Sequence, residues 1–196
     1  MKTLLRVTFL IVIAVSIAWS VPSDTLTVDP THSAITFSIR HIVSRVQGRF
    51  TEFKGVVYYD EKHPEHSFVD MEVKASSINT DNSNRDKHLR SSDFFAVDSF
   101  PTLIFKSTKA VKTDQGLSLD GSITIHGISK DLTVPVEILG VSEMKDRTVA
   151  GFSTSFTVNR KDFDIVWNRT LDNGGLLLGD DVKVTINVEA KITKEP

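Results

Sequence analysis

From Val182 to Ile192 the chain alternates, with Val182, Val184, Ile186, Val188, Ala190 and Ile192 on one side and Lys183, Thr185, Asn187, Glu189 and Lys191 on the other. Successive side chains of an extended strand point to opposite faces, so this period predicts a long strand with one apolar face. The same alternation runs through Ile35-Phe37-Ile39, Val69-Met71-Val73-Ala75 and Phe152-Thr154-Phe156-Val158. Turn-forming residues separate such runs at Asp60 to Pro64, Thr113 to Gly116, Gly127 to Lys130, Glu143 to Arg147 and Asp172 to Gly175. Spacing this short favours antiparallel hairpins over crossover helices.

One segment breaks the pattern. Asn82 to Ser92 reads as a short helix, with Ser83 or Asn84 as its cap and an Asp86–Arg90 pair one turn apart. Asp93-Phe94-Phe95 follows it, and two aromatic rings so placed are expected to pack over one end of a barrel. A long antiparallel meander removes its exposed edges by closing on itself, which predicts an all-β fold: one antiparallel barrel of about eight strands with one short helix. A barrel of that size is either filled by its own side chains or roomy enough for one ligand, and periodicity leaves both open.

The first residues add a second kind of signal. Lys2 and Arg6 precede a predominantly apolar, uncharged run from Val7 to Ala18, and Ala18-Trp19-Ser20 has the small-x-small form of a cleavage site. This predicts a signal peptide over 1–20, cut after Ser20, and a domain over 21–196 in the periplasm or secreted. No second run is long enough for a permanent membrane span. The chain has no cysteine, which excludes disulfides, thiol catalysis and a lipid anchor on an N-terminal cysteine. Loss of Lys2 and Arg6 takes the 23 basic residues to 21 against 25 acidic ones, moving the formal charge from -2 to -4 and disfavouring nucleic acid as a partner.

Several local patterns together resemble the YceI-like family of polyisoprenoid-binding, lipocalin-like proteins, from about Leu26 to the end of the chain. Val28-Asp29-Pro30-Thr31-His32-Ser33, followed by Ile35, Phe37 and His41, resembles the family's first strand. Gly48-Arg49-Phe50 and Phe53-Lys54-Gly55 are similar to its second. The ordered block Ser77-Ile78-Asn79-Thr80, Arg85 through Ser91, Asp93-Phe94-Phe95 and Phe100 through Ser107 is the most specific match. Gly121 through Lys130 resembles the family's G-x-L-T-I-x-G-V-T-K hairpin, and Asn159-Arg160-Lys161-Asp162-Phe163 its R-x-D-F/Y segment. Asp164 through Arg169 departs from the family pattern, filling a stretch where a small-residue loop is expected. The resemblance implies an elongated lipocalin-like barrel with an isoprenoid chain threaded into its pore and the polar end near a mouth. It also leaves room for a homodimer.

Candidate ligand-binding residues follow. Phe37, Ile39, Phe50 and Phe105 fall on the apolar side of their strands, where they fill a core or line a channel. Phe94, Phe95 and, more weakly, Trp167 join them. Arg85, Asp86 and His88 form a polar cluster that either meets a phosphate or quinone head group or pins the helix to neighbouring strands. His32 and His41, nine residues apart, fall on opposite faces of an unbroken strand, and His63 and His66 lie in a polar turn around Pro64, so no metal site is assigned. No nucleophile elbow, phosphate loop, dinucleotide fingerprint or H-E-x-x-H pattern is present, and no catalytic residue or cofactor is assigned. Asn168-Arg169-Thr170 is a formal glycosylation sequon expected to stay unmodified. The leading expectation is a carrier of a long isoprenoid lipid, a polyprenyl phosphate or a quinone tail. An exported interaction or inhibitor protein with a filled barrel is the alternative, and an enzyme of isoprenoid metabolism comes third.

Overall fold

The computed structural model describes residues 25–171 and 176–193. The expected export segment over 1–20 and the turn over 172–175 lie outside the described residues. The strands are β1 (Leu26–Val28), β2 (Ala34–His41), β3 (Ser44–Phe50), β4 (Phe53–Tyr58), β5 (Phe68–Lys74), β6 (Ile78–Asn79), β7 (Thr102–Thr113), β8 (Gly116–Ile125), β9 (Ile128–Glu143), β10 (Arg147–Asn159) and β11 (Leu178–Thr193). One α-helix, α1 (Ser83–Arg90), interrupts them.

All neighbours pair antiparallel, in the order β1-β4-β5-β7-β8-β9-β10-β11, and β1 returns to β11 through Thr27↔Lys191 and Val28↔Ala190. Eight strands therefore close into a barrel. Further along the same edge of β11, β2 takes over from Asn187↔Ala34 to Leu178↔His41, and β3 pairs with β2. One end of the wall is thus built by β1 and β4, and the other by the β2–β3 hairpin.

The alternating run of β11 pairs along its whole length with β10, from Arg147↔Thr193 to Asn159↔Asp181. Its small residue Ala190 is fully buried where the barrel seam closes. At that seam Asp29 accepts hydrogen bonds from the Lys191 ammonium (2.6 Å) and the Thr31 amide (3.0 Å), with the His32 ring 3.1 Å away. The Lys191 bond, then the His32 and Thr31 contacts, hold the Asp29 carboxyl far below the usual carboxylate range.

Three expectations are corrected by this structure. Residues 29–33 leave the sheet, so His32 and His41 do not share an unbroken strand; His32 joins Asp29 and Glu189 at the seam, beside Lys191. The turn expected over Gly127 to Lys130 is shorter, because β9 already starts at Ile128 and the reversal is made by His126 and Gly127, both at positive φ. The helix is capped by Asn82 and not by Ser83 or Asn84: the Asn82 side chain accepts the Arg85 amide at 3.0 Å.

Candidate functional site

The barrel interior is not filled by its side chains. Two chambers follow one another along it, one of about 160 Å³ and one of about 440 Å³. Phe37, Phe50, Leu103, Ile125 and Val184 line both, so the chambers adjoin. The narrower one is the deep chamber. Its walls include Met71, Phe105, Leu119, Val136, Phe152 and Ile186, and no charged residue lines it. Behind it, Ala110, Leu117, Leu119 and Val134 pack into a buried cluster that ends the cavity. Burial raises the pKa of Tyr59 at this wall, an environment that keeps its phenol neutral.

Two glycines make the aromatic lining fit. Phe37 lies across its cross-strand partner Gly48, where a Cβ would come within 2.4 Å of the ring. The Phe105 ring lies diagonally over Gly121, whose direct partner is Ser107, and a Cβ there would come within 2.8 Å of it. Each ring thus takes the space that a side chain on the facing strand would occupy.

The wider chamber ends at α1 and the loop 164–167. Its lining combines Ile39, Val46, Phe94, Phe95, Phe163, Ile165, Leu178 and Trp167 with the polar residues His41, Asn84, Arg85, His88 and Arg160. The His88 ring stands perpendicular to both Phe94 and Trp167, with ring centroids 5.0 and 4.9 Å away, while its Nε2 is 2.8 Å from an Asp93 oxygen. Phe50 separates the two chambers, its ring 5.8 Å from Phe37 and 5.9 Å from Phe95.

The polar cluster of α1 divides in two. Asp86 is buried and lines neither chamber; its carboxylate accepts the Thr80 amide and hydroxyl. The expected Asp86–Arg90 pair does not form, because Arg90 instead donates to the carbonyls of Ser76 (2.7 Å) and Ile78 (2.6 Å). Bonding two backbone carbonyls of the neighbouring strand satisfies groups that the helix would otherwise leave unpaired, which outcompetes an exposed ion pair. Arg85 donates through Nε and one terminal nitrogen to Thr80 at 2.8 Å, yet still lines the wider chamber. Asp86 and Arg90 pin the helix; Arg85 and His88 face the cavity.

Of the ten residues named from sequence, Phe37, Ile39, Phe50, Phe94, Phe95, Trp167, Arg85 and His88 meet at the wider chamber, Phe105 lies in the deep one, and Asp86 lies behind the wall. Sequence reasoning did not foresee Arg160. It is buried, and its guanidinium donates to the carbonyls of Gly179, Ile165 and Trp167 and to Asp180. Arg160 thereby holds the loop that carries Trp167 against β11, and Lys161 together with Arg160 lowers the Asp180 pKa. A buried arginine satisfied by carbonyls leaves no period or spacing in a sequence. Asn168, the sequon residue, is also occupied, clipping its side-chain amide to both backbone groups of Leu178.

A closed antiparallel barrel with an apolar, ligand-sized interior and one polar mouth defines the class of small-molecule-binding barrels. The YceI-like domain model matches residues 26–190, and the chain belongs to that family. A UPF0312 protein of Staphylococcus aureus is 37% identical over 171 residues, covering 86% of this chain and 98% of the relative. Among solved structures, the Campylobacter jejuni YCEI protein is 31% identical with a TM-score of 0.66 over 81% of this chain and 91% of its own. Burkholderia cenocepacia BcnA superimposes with a TM-score of 0.72 at 19% identity, over 83% and 99% of the two chains. A polyisoprenoid binding domain from Saccharophagus degradans, implicated in plant cell wall breakdown, superimposes with a TM-score of 0.62 at 12% identity over 84% and 97%. The last two share the fold.

Proposed function

We propose that this protein is an exported, non-catalytic carrier of a long-chain isoprenoid lipid, a polyprenyl phosphate or a quinone-type molecule. One observation carries the reading: two adjoining chambers form a largely apolar bore whose arginine and histidine lining is confined to the wider chamber at the α1 end. The tail runs through the wider chamber and ends in the deep one, and the head group meets Arg85 and His88 at the α1 end. The polyisoprenoid-binding neighbour, which shares only the fold, agrees with this reading.

Burial supplies the affinity. An apolar cavity of about 150 Å³ holds a benzene-sized molecule, so the wider chamber alone has room for roughly three such volumes. By that measure the two chambers together hold roughly 24 carbons of a tail, which at about 0.3 kcal/mol per atom gives on the order of 7 kcal/mol, a micromolar dissociation constant, without a head-group contact. The test is organic extraction and mass spectrometry of protein purified without detergent from its native compartment. A near-stoichiometric isoprenoid is expected. A blank that persists after incubation with polyprenyl lipids overturns the reading.

A further inference from the structure

The β2–β3 hairpin ends in a two-residue turn, Ile42-Val43, between the paired residues His41 and Ser44. Ile42 has φ 52°, a conformation that costs a β-branched residue energy and that glycine usually supplies at the first position of such a turn. Beside it Val43 is 97% exposed, and Ile42 itself is 40% exposed. The tip is tied to the cavity's mouth, since the Ile42 amide donates to Leu177 and the Leu177 amide to Arg169. Leu176 and Val166, both exposed, extend the apolar rim there.

Charge accompanies the tip. Arg40 and Arg45 face each other directly across the hairpin, a like-charge pair that is unfavourable unless an anion joins it. Neither is in an ion pair among the described residues; no carboxylate occurs between Pro30 and Thr51, and of the two aspartates in the β11 bulge opposite Arg40, Asp180 is held by Arg160 and Lys161. The opposite end of the barrel also exposes apolar residues, Leu139, Val141 and Met144, but there Glu137, Glu143 and Asp146 outnumber Lys145 and Arg147.

We infer that the Ile42-Val43 tip, flanked by Arg40 and Arg45, inserts into an anionic lipid bilayer surface and sets the wider chamber's mouth against it. Apolar residues entering the acyl boundary beneath basic residues at the head groups is the arrangement that favours interfacial binding. The inference rests on the lipid-carrier reading and adds the route: cargo passes between bilayer and barrel without crossing water.

Because the chain has no cysteine, Val43→Cys and Lys145→Cys each accept a single environment-sensitive fluorophore, at the tip and at the far end. With vesicles of equal parts phosphatidylcholine and phosphatidylglycerol, the label at 43 is expected to shift to the blue and the label at 145 to stay unchanged. Adding Arg40→Gln/Arg45→Gln weakens the response at 43 about thirtyfold. The variant Ile42→Gly/Val43→Asn, which relieves the turn, slows uptake of polyprenyl phosphate from these vesicles at least tenfold while uptake from micelles is unchanged. Equal shifts at both labels, no shift at 43, or a shift that appears on raising protein concentration without vesicles overturns the inference; the last assigns the tip to a second copy. A tip that docks on a protein taking up no isoprenoid from vesicles or micelles overturns the carrier reading and the cargo route together, and leaves the bilayer contact standing.

Discussion

The two chambers share a wall and differ in almost everything else. The deep one is narrow, uncharged and closed behind by packed aliphatic residues, whereas the wide one opens onto a helix bearing Arg85 and His88 and a loop held by a buried arginine. Strands build nearly all of the first, with Tyr59 and Ser67 added from the β4–β5 connection. The second needs irregular chain, because only a helix and a loop bring guanidinium and imidazole groups to the end of a barrel without breaking a strand's apolar face. On the proposed reading, selectivity for a tail and selectivity for a head fall to different kinds of structure.

The largest effect is expected from Phe105→Asp, which places a carboxylate in the uncharged chamber. Desolvation of an unpaired charge costs several kcal/mol, so urea denaturation should show a loss of that size, and extraction should recover no lipid from the folded fraction. Full lipid retention by a folded variant would refute the channel. Phe50→Ala removes the ring between the chambers; a loss of about 3 kcal/mol is expected from calorimetry, with the bound-lipid length distribution broadening as the two spaces merge. Arg85→Ala should sharpen the contrast in the other direction. It is expected to weaken polyprenyl phosphate about tenfold relative to the corresponding alcohol in a competition assay, and to leave the alcohol's affinity unchanged.

The smallest effect is a titration remote from both chambers. The folded Asp29 carboxyl sits below its ordinary value because Lys191 binds its ionised form, so its stabilising contribution is complete above about pH 4 and is lost as pH falls further. Melting temperatures recorded from neutral to acid pH should fall less steeply for Asp29→Asn than for the parent, while lipid content at neutral pH is the same in both.

The legibility of these parts follows from their physics. The strands of the bore were readable because one-sided burial imposes a period of two, as in Phe152, Thr154 and Phe156 on the deep chamber's wall. The helix was readable from its polar opening, although its cap moved to Asn82, since several adjacent residues there have capping side chains. The break over 29–33 was not, because Asp29 leaves the sheet to meet Lys191, more than 160 positions away, a contact without local trace. Arg85 and His88 could be named but not separated from Asp86, because only the helix phase decides which side chains see the cavity.

Closure through β1 and β11 also carries a consequence for folding time. Thr27 pairs with Lys191, so the ring is incomplete until the last strand exists, and every earlier state presents an open sheet with its apolar face uncovered. Pairings that distant in sequence are slow to form, and an unclosed sheet is the species most prone to aggregate. On the carrier reading, a hydrocarbon chain laid on that open face would be enclosed as β11 zips into place, so that the ligand takes part in assembly.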